Sequence, residues 1–433
     1  MTATAHRGAV DRWLAVQLPQ SRAALARAVS ATDLRIERAE FGQKVSPVPG
    51  SVLASTVRSR WDPEPDYGYH WPRDAAVVMA VAPLLRRTDP HWDRHFADYI
   101  AFSVGIATRP GRAANPLRAC TIESHSRFLR PDAELLALSD DALLGEPRFS
   151  ADGGPDLERW GRPQFDGPAL RALSCMAWDG PIPNEMDRLL GLDLGFTARH
   201  AAEPCLGPWE EEPADLNVFT LMAQRACLLA VPAGSDAALA KTEAALETLW
   251  TGRFLARAAA AREAPDASTI LGALLVPNDA AFGVADERVL ATVAEIEGWA
   301  SRNYPINAGV PVPLIGRWQG DVFFGGNPWL PTSFGLAEFY ARLAEALLDR
   351  DRPSPISAED QAADPAERAA RLLTKADAIF ERIAKYVSGD GSLPEQIHRQ
   401  TGKPVSCPDL SWSHAALISA AAKRDRALRR LSG

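Results

Sequence analysis

The stretch WGRPQFDGPALRAL (residues 160–173) places a polar, aromatic loop directly before an apolar helical run. Its first half carries Trp160, Arg162, Gln164 and Asp166 between prolines and a glycine. Its second half is rich in alanine and leucine, which favour helices intrinsically. The fold prediction is built from one unit, a buried helix with a loop of polar and aromatic residues at one end.

Apolar stripes with helical spacing recur along the chain. In LAEFYARLAEALL (336–348) the apolar residues step by three and four positions, and LNVFTLMAQRACLLA (216–230) does the same. Period-two alternation is almost absent. VPVPLIGRW (310–318) comes nearest, and its prolines indicate a loop or an edge. We therefore predict an all-α protein.

Six loops resemble one another, each rich in glycine, proline, tryptophan or charge and each leading to an apolar run. They are DYGYHWPRD (66–74), ERWGRPQFDGP (158–168), LGPWEEEPAD (206–215), APDAST (264–269), GRWQGDVFFGGNPW (316–329) and GDGSLPEQ (389–396). The spacing between neighbouring loops leaves room for a hairpin of two ordinary helices. Six such hairpins predict a closed ring with inner helices apolar nearly all round, outer helices apolar on one side, and all six loops at one rim.

The segment RDRPSPISAEDQAADPAER (350–368) breaks this pattern. Its prolines and charges predict a solvated connection. No other composition shift marks a boundary, so we predict one domain over residues 1–433.

Bulk properties exclude several classes of partner. The 433 residues carry a formal net charge of -8 and no basic stripe, which argues against nucleic acid. The longest near-apolar runs fall short of the ~20 residues that a membrane-spanning helix needs. The first twenty residues lack the continuous apolar core of a signal peptide. We expect a cytoplasmic protein without a membrane partner, with export by a route lacking a recognisable signal left open.

The residue types that usually bind metals or phosphate do not cluster in the sequence. The eight histidines do not cluster, and no glycine-rich loop carries the lysine of a phosphate site. The cysteines are odd in number and lack zinc or redox spacing; they are Cys120, Cys175, Cys205, Cys227 and Cys407. We expect buried thiols in a reducing cytosol, and neither a metal nor a cofactor.

The tryptophans of the polar loops indicate a carbohydrate site. A tryptophan in a helical protein more often belongs to the core, but Trp71, Trp160, Trp209, Trp318 and Trp329 all lie in the six loops. Planar rings offer apolar faces to sugars, and Asp, Asn and Arg make paired hydrogen bonds to neighbouring hydroxyls.

Cleavage of a glycosidic bond needs two carboxyl groups, one to donate a proton and one to activate water or attack carbon. Trp209 is followed by Glu210, Glu211 and Glu212, and adjacent like charges with partial burial suit a general acid. The alternative is an acidic first turn that favours the dipole of the next helix. Glu395, in GSLPEQIHRQ, is by itself an ordinary loop glutamate.

These motifs together resemble glycoside hydrolase family 15, the glucoamylases, and are most similar to the compact catalytic domain of the fungal enzymes. The resemblance runs from about Gly50 to Ala420. It rests on DYGYHWPRD, WGRPQFDGPALRA, PWEEE, DASTILGALL, GGNPW, and LPEQ followed by LSWSHAAL, in that order. It implies an (α/α)6 barrel, in agreement with the predicted ring.

The resemblance also implies roles for single residues. Glu210 matches the general acid, Glu395 the general base, and Glu211 a residue that contacts the sugar beyond the scissile bond. The remaining matches bind substrate. Arg73 and Asp74 bind the hydroxyls of the terminal glucose, and Arg317 binds the same sugar. Tyr67 stabilises an oxocarbenium-like transition state, and Trp71 and Trp160 form aromatic walls. Trp209 is the neighbour of Glu210, and Trp318 is the neighbour of Arg317. Arg162, Gln164 and Asp166 are expected to support Trp160.

The implied activity is inverting, exo-acting hydrolysis of maltose and malto-oligosaccharides by a monomer. The chain departs from the family pattern at His70 and Pro72, and at Trp318, where a tyrosine is common. We expect neither a starch-binding domain nor an N-terminal β-sandwich, because the chain has few residues before Trp71 and ends soon after the last motif.

Other activities stay open. Related enzymes that cut α-1,6 bonds or trehalose share the acid, the base and the terminal-sugar residues, and a sugar acceptor could replace water. A non-catalytic glucan-binding module and a purely structural helical ring are the alternatives outside enzymes.

Overall fold

The computed structural model describes residues 3–57, 66–111, 114–231, 234–349 and 364–432. They divide into two compact units. Unit 1 consists of Met1–Ala24, Asn217–Met222 and Glu243–Gly433, and unit 2 of Leu25–Leu216 and Ala223–Thr242.

Helices dominate both units. In chain order the α-helices of the described ranges are α1 (Ala3–Ala28), α2 (Pro72–Ala80), α3 (Ala82–Arg86), α4 (Trp92–Ala107), α5 (Asp132–Leu136), α6 (Asp140–Leu144), α7 (Asp166–Met176), α8 (Met186–Arg199), α9 (Val218–Leu229), α10 (Asp236–Leu249), α11 (Ser268–Ala273), α12 (Glu287–Asn303), α13 (Leu330–Leu348), α14 (Pro365–Ala384) and α15 (Ser411–Ser432). The 3-10 turns are Ala39–Phe41, Pro116–Ala119, Glu123–Phe128, Pro305–Asn307 and Phe323–Gly325.

The strands in these ranges are short antiparallel pairs. They are β1 (Ile36–Arg38) with β2 (Gln43–Val45), β3 (Tyr69–His70) with β4 (Phe149–Ser150), and β5 (Gln396–Ile397) with β6 (Pro404–Val405). In the last pair Gln396 lies opposite Val405. The prediction of an all-α protein is confirmed.

Unit 1 is built around α13, whose side chains are buried on every face from Leu330 to Glu345. Helices α11, α14 and α15 pack against it. By contrast α14 buries one face, with Leu373, Phe380 and Ile383 at helical spacing. The predicted distinction between all-round and one-sided helices therefore holds within this unit.

In unit 2, α2 packs on α7 and α7 packs on α8. The contact between α2 and α7 is close, because a Cβ on Gly167 would lie 3.0 Å from Pro72 Cβ. Helix α7 is buried nearly all round, whereas α8 buries a stripe that includes Leu189, Asp193 and Phe196.

The structure moves several predicted helix starts. Helices α2, α7 and α11 begin inside the loop motifs, and α13 begins at Leu330, before the apolar stripe of residues 336–348. Proline lies in the first turn of α2 and α13, where its missing N–H has no helical partner to lose. The run AAVVMAVAPLL (75–85) is divided between α2 and α3 at Val81.

Residues 350–363 of the predicted connection 350–368 lie outside the described residues. Its last residues form the start of α14, where the Asp364 side chain accepts a hydrogen bond from Ala366 N. None of the helices in the described ranges combines the length and the apolar character needed to cross a membrane.

Candidate active site

Glu210 lies in the polar loop that precedes α9. Its φ of 62° falls in the left-handed region, an uncommon conformation for a residue with a side chain. The loop of the WGRP motif passes close to it, because a Cβ on Gly161 would lie 3.0 Å from Glu210 O. A Cβ at residue 161 would also lie 2.7 Å from Leu206 Cδ1, so this close approach favours glycine in the Trp-Gly pair at residues 160–161.

Four side chains of unit 2 donate hydrogen bonds to the Glu210 carboxylate. Trp71 Nε1 donates to Oε1 at 3.0 Å, Arg73 Nη2 at 3.1 Å and Gln164 Nε2 at 3.1 Å. Trp160 Nε1 donates to Oε2 at 2.6 Å. The side chain is 17% exposed, so one carboxylate in a polar pocket is fixed from several directions.

Arg73 connects Glu210 to the start of α7. Its Nη1 donates to Gln164 Oε1 at 2.8 Å and to Asp166 Oδ2 at 3.0 Å. Burial alone would lower the pKa of Arg73, but Asp166, Glu210 and Asp74 outweigh it and the pKa is raised. Arg73 therefore keeps its charge, and much of its donor capacity goes to protein groups. Its predicted grip on substrate hydroxyls stays a prediction.

The indole of Trp160 rests on a buried cation. The Arg148 guanidinium lies 3.8 Å from the Trp160 ring centroid and 4.1 Å from that of Tyr69. Arg148 is itself fully buried and pairs with Asp156 at 3.0 Å and Glu158 at 3.2 Å. Burial opposes its charge, yet Asp156, Tyr69 and Glu158 raise the pKa of Arg148 overall. The indole that donates to Glu210 is thus positioned by a fixed positive charge against its ring face.

The predicted supporting residues act on different partners. Gln164 and Asp166 bind Arg73, as described, rather than the Trp160 ring. Arg162 pairs with Glu146 at 3.2 Å and Asp156 at 3.0 Å, and its Nη1 donates to the Trp160 carbonyl at 3.1 Å.

Glu395 lies in unit 1, directly before β5, and is 7% exposed. Its backbone is fixed on both sides: Glu395 N donates to Cys407 O at 2.8 Å, and Leu330 N, the first residue of α13, donates to Glu395 O at 2.9 Å. Ser406 Oγ donates a short hydrogen bond to Oε2 of the carboxylate. A buried helix start and a tight hairpin therefore position this carboxylate.

The loop 389–396 that carries Glu395 is attached to α1 and α15. Asp409 Oδ1 accepts from Leu393 N at 3.0 Å and contacts His414 Nε2 at 2.7 Å. His414 Nδ1 in turn contacts Ser21 Oγ at 2.9 Å. All three side chains are buried, so the arrangement is internal and supports the loop.

Arg317 and Trp318 are neighbours near the start of the loop 316–329, which lies in unit 1. Arg317 Nε donates to Asp321 Oδ2 at 2.9 Å. The Trp318 ring lies 4.0 Å from the Arg257 guanidinium, and the Trp318 backbone bridges to Asp266. Both residues are held by contacts within their own unit.

The remaining predicted residues all lie in unit 2. Trp71 and Asp74 are buried, Trp209 is 9% exposed, and Tyr67 and Glu211 are half-buried. The Tyr67 and Trp71 ring centroids are 6.0 Å apart, and those of Trp71 and Trp160 are 6.1 Å apart. Unit 2 therefore places the rings of Tyr67, Trp71 and Trp160 next to one another beside Glu210.

Sequence reasoning missed Arg148 and Ser406. Arg148 follows Pro147 in a stretch without aromatic or repeated pattern, and Ser406 is an isolated serine beside Cys407. Among the residues that the structure describes, no three His, Cys, Asp or Glu side chains come together as metal ligands.

Comparison with known proteins shows the family of the chain. The family model described as glycosyl hydrolases family 15 matches residues 39–422. The chain belongs to glycosyl hydrolase family 15. This family 15 member is therefore a glycoside hydrolase.

Curated relatives are glucoamylases. Glucoamylase P of Amorphotheca resinae is 27% identical over 89% of this chain and 67% of its own length. Glucoamylase-1 of Schizophyllum commune is 26% identical over 98% of this chain and 76% of its own length.

Solved structures confirm the fold. The glucoamylase from Saccharomycopsis fibuligera superposes with a TM-score of 0.76 at 21% identity, covering 99% of this chain and 97% of that enzyme. The Hypocrea jecorina enzyme gives 0.74 at 23% identity, covering 96% and 72%. These enzymes are (α/α)6 barrels, and the predicted fold class is confirmed.

Proposed function

We propose that this family 15 enzyme is an inverting, exo-acting α-glucosidase that releases β-glucose from the non-reducing ends of maltose and malto-oligosaccharides. The observation that carries the proposal is the Glu210 carboxylate, enclosed by two indole N–H groups and a guanidinium. Relatives named glucoamylase support the substrate class.

In this proposal Glu210 is the general acid. Its two oxygens differ, because Oε1 accepts three hydrogen bonds and Oε2 accepts one from Trp160. Oε1 is thus the anchored atom, and Oε2 is the oxygen that carries the transferable proton. That proton passes to the glycosidic oxygen as the bond to the anomeric carbon breaks.

Glu395 is the proposed general base. It takes a proton from the water that attacks the anomeric carbon on the face opposite the departing sugar, which inverts the configuration. Ser406 donates to Oε2 of this carboxylate, which orients the group. Inverting enzymes hold their two carboxyl groups ~6.5–9.5 Å apart to accommodate that water.

Binding of the chain end is assigned to Arg73, Asp74 and Arg317, with Tyr67 near the reacting carbon. Trp71, Trp160, Trp209 and Trp318 supply ring faces, and Glu211 contacts the sugar beyond the scissile bond. A site that holds a chain end releases one glucose in each event.

A panel of disaccharides tests the linkage. We expect glucose from maltose and faster release from maltotriose, with slower release from isomaltose and trehalose. Preference for isomaltose or trehalose would replace the α-1,4 assignment with one of the alternative linkages, and failure of every substrate would favour a non-catalytic glucan-binding module.

We also propose a cytoplasmic monomer. Burial raises the pKa of the Cys175 and Cys227 thiols to about 12, so both thiols are unreactive. The large exposed apolar side chains include Val16, Ile182 and Val322, which are far apart in sequence. Light scattering tests the oligomeric state, and fractionation of the native host tests the compartment.

A further inference from the structure

Arg38 is a buried arginine at the end of β1 in unit 2. It lies outside the six polar loops and one residue before the stretch that the family model matches. Its side chain is only 5% exposed, and a guanidinium stays charged at any ordinary pH. A buried charge needs fixed partners, because it has lost its contact with water.

Polar contacts attach the Arg38 guanidinium to the loop 66–74. Its Nε donates a short hydrogen bond to Asp66 Oδ2, and its Nη2 donates to Gly68 O at 3.2 Å. Its Nη1 donates to Gln43 Oε1 of β2 at 3.0 Å. The β1–β2 hairpin and the loop that leads into α2 are therefore joined through one side chain.

Two buried guanidinium groups lie over the ring of Tyr69. The central carbon of the Arg38 guanidinium is 4.0 Å from the ring centroid, and that of Arg148 is 4.1 Å from it. The Tyr69 hydroxyl donates a short hydrogen bond to Glu158 Oε1, and Glu158 Oε2 accepts from Arg148 Nη2 at 3.2 Å. Tyr69 is thus fixed through its ring and through its hydroxyl.

Arg148 extends these contacts to the candidate active site. Its guanidinium lies 3.8 Å from the Trp160 ring centroid, and Trp160 Nε1 donates to Glu210 Oε2 at 2.6 Å. A continuous cation–aromatic series therefore ends at the carboxylate; its members are Arg38, Tyr69, Arg148 and Trp160. Contacts of this kind are strongest when they are desolvated, and the first three members are buried.

Both cations of the cation–aromatic series have carboxylate partners of their own. Arg38 pairs with Asp66, and Arg148 pairs with Asp156 at 3.0 Å. A buried cation that is neutralised locally exerts little net field at a distance. The effect of Arg38 on the Glu210 carboxylate is therefore one of position rather than of charge.

We propose that Arg38 is a positioning residue for Glu210, acting through the cation–aromatic series on the Trp160 indole N–H. This role rests on the proposed function, because it requires Glu210 to be the general acid. Arg38 fixes one side of the series, and Trp160 transmits the resulting position to the carboxylate. The β1–β2 hairpin thereby becomes part of the support of the proposed acid.

The Trp160 indole N–H reports on this role without any turnover. In a proton–nitrogen correlation spectrum its resonance is the one that disappears in Trp160→Phe. Arg38→Met removes the guanidinium and should shift that resonance by more than the linewidth. Arg424→Met is the matched control, because Arg424 is as deeply buried and pairs with the buried Asp377 in unit 1. It should leave the Trp160 resonance in place.

Kinetics test whether the displacement reaches the acid. Arg38→Met should lower kcat on maltotriose about tenfold with KM nearly unchanged, since small displacements of a catalytic group are costly. Hydrolysis of α-glucosyl fluoride, whose leaving group needs no proton, should change by less than about twofold. Arg38→Lys keeps the pair with Asp66 and should recover part of the loss. If Arg38→Met does not fold, the double variant Arg38→Gln, Asp66→Asn removes both buried charges together and replaces it.

The outcomes distinguish this role from the proposed function. A Trp160 resonance that Arg38→Met leaves in place, an unchanged kcat on maltotriose, or equal losses on the two substrates would each overturn the positioning role and leave the activity intact. A wild-type protein that cleaves neither substrate would overturn the proposed activity and with it the role in acid catalysis, while a shifted resonance would still support the link between Arg38 and Trp160.

Discussion

The Glu210 carboxylate is asymmetric at the level of single atoms, with three donors on Oε1 and the Trp160 indole on Oε2. Glu395 receives a hydroxyl hydrogen bond from Ser406. Positively charged and indole donors therefore surround the proposed acid, whereas a neutral hydroxyl orients the proposed base. The two glutamates should respond differently to the chemistry of the leaving group.

Substitution of each glutamate by glutamine tests these roles. On maltotriose, Glu210→Gln and Glu395→Gln should each lower kcat by about 10²–10⁴-fold, the usual contribution of a positioned acid or base. On α-glucosyl fluoride, whose leaving group needs no proton, Glu210→Gln should recover most of its activity while Glu395→Gln should not. Wild-type-like turnover by Glu395→Gln would contradict the assignment of Glu395 as the general base.

At the scale of structural elements, the segment containing Arg148 supports the loop containing Trp160. The central carbon of the guanidinium lies 3.8 Å from the Trp160 ring centroid, and Asp156 and Glu158 fix the group. Because the same indole donates to Glu210, displacement of Arg148 should reach the carboxylate through Trp160.

Arg148→Lys keeps the charge but removes the planar group. We expect kcat/KM on maltotriose to fall by up to about thirtyfold, since a desolvated cation–π contact contributes about 2 kcal/mol. Arg171→Lys is the control, because Arg171 is as deeply buried and pairs with Asp193 at 2.7 Å. Steady-state kinetics and thermal melts of both variants separate the effects. Equal losses of activity at equal loss of stability would show that Arg148 has only a structural role.

The loop of Glu395 depends on two helices through His414. The imidazole contacts Asp409 on one side and Ser21 of α1 on the other. His414→Phe fills the space but removes both contacts, and each buried group left unsatisfied costs about 1–3 kcal/mol. We predict a lower kcat with KM nearly unchanged, and partial recovery in His414→Gln. A folded His414→Phe enzyme with normal kcat would contradict this account of the loop.

At the scale of the whole molecule, buried His70 should make stability depend on pH. Burial, together with the positive charge of Arg171, lowers the pKa of His70 to about 3, whereas an unfolded histidine titrates near 6.5. Its Nδ1 accepts a hydrogen bond from Val52 N at 3.0 Å, which a protonated Nδ1 cannot do. Below pH ~6.5 the His70 imidazole therefore binds a proton in the unfolded chain but not in the native protein.

The free energy of unfolding should consequently fall as the pH drops from ~6.5 toward ~3, by up to about 1.4 kcal/mol per pH unit from this residue. His70→Gln should show a flatter dependence in urea titrations between these limits. Parallel curves for the two proteins would contradict the inferred neutral state of His70.

Local patterns predicted much of the fold. The stripe within α13 and the apolar run within α7 follow from periodicity alone, although α7 begins earlier than predicted, inside the loop motif. The division at Val81 was missed, because an apolar run has no feature that distinguishes one helix from two short ones. The starts of α2 and α13 were misplaced because proline in a first turn resembles a loop.

Short motifs singled out Arg73, Glu210 and Glu395 in the sequence. The structure places Arg73 in contact with Glu210, while the catalytic roles stay predictions. Arg148 was not predictable, because its contact with Trp160 joins separate segments through stacking, and no local spacing encodes that contact. Ser406 is similar: its hydroxyl reaches Glu395 only because β5 and β6 form a hairpin.

The most direct test of the central claim is proton NMR of maltotriose hydrolysis, followed from the first minute. Early accumulation of β-glucose, followed by slow mutarotation, is the predicted result and would support Glu395 as the general base and Glu210 as the general acid. Early α-glucose would contradict the inverting mechanism, and the absence of any glucose would contradict the proposed activity on α-1,4 chain ends.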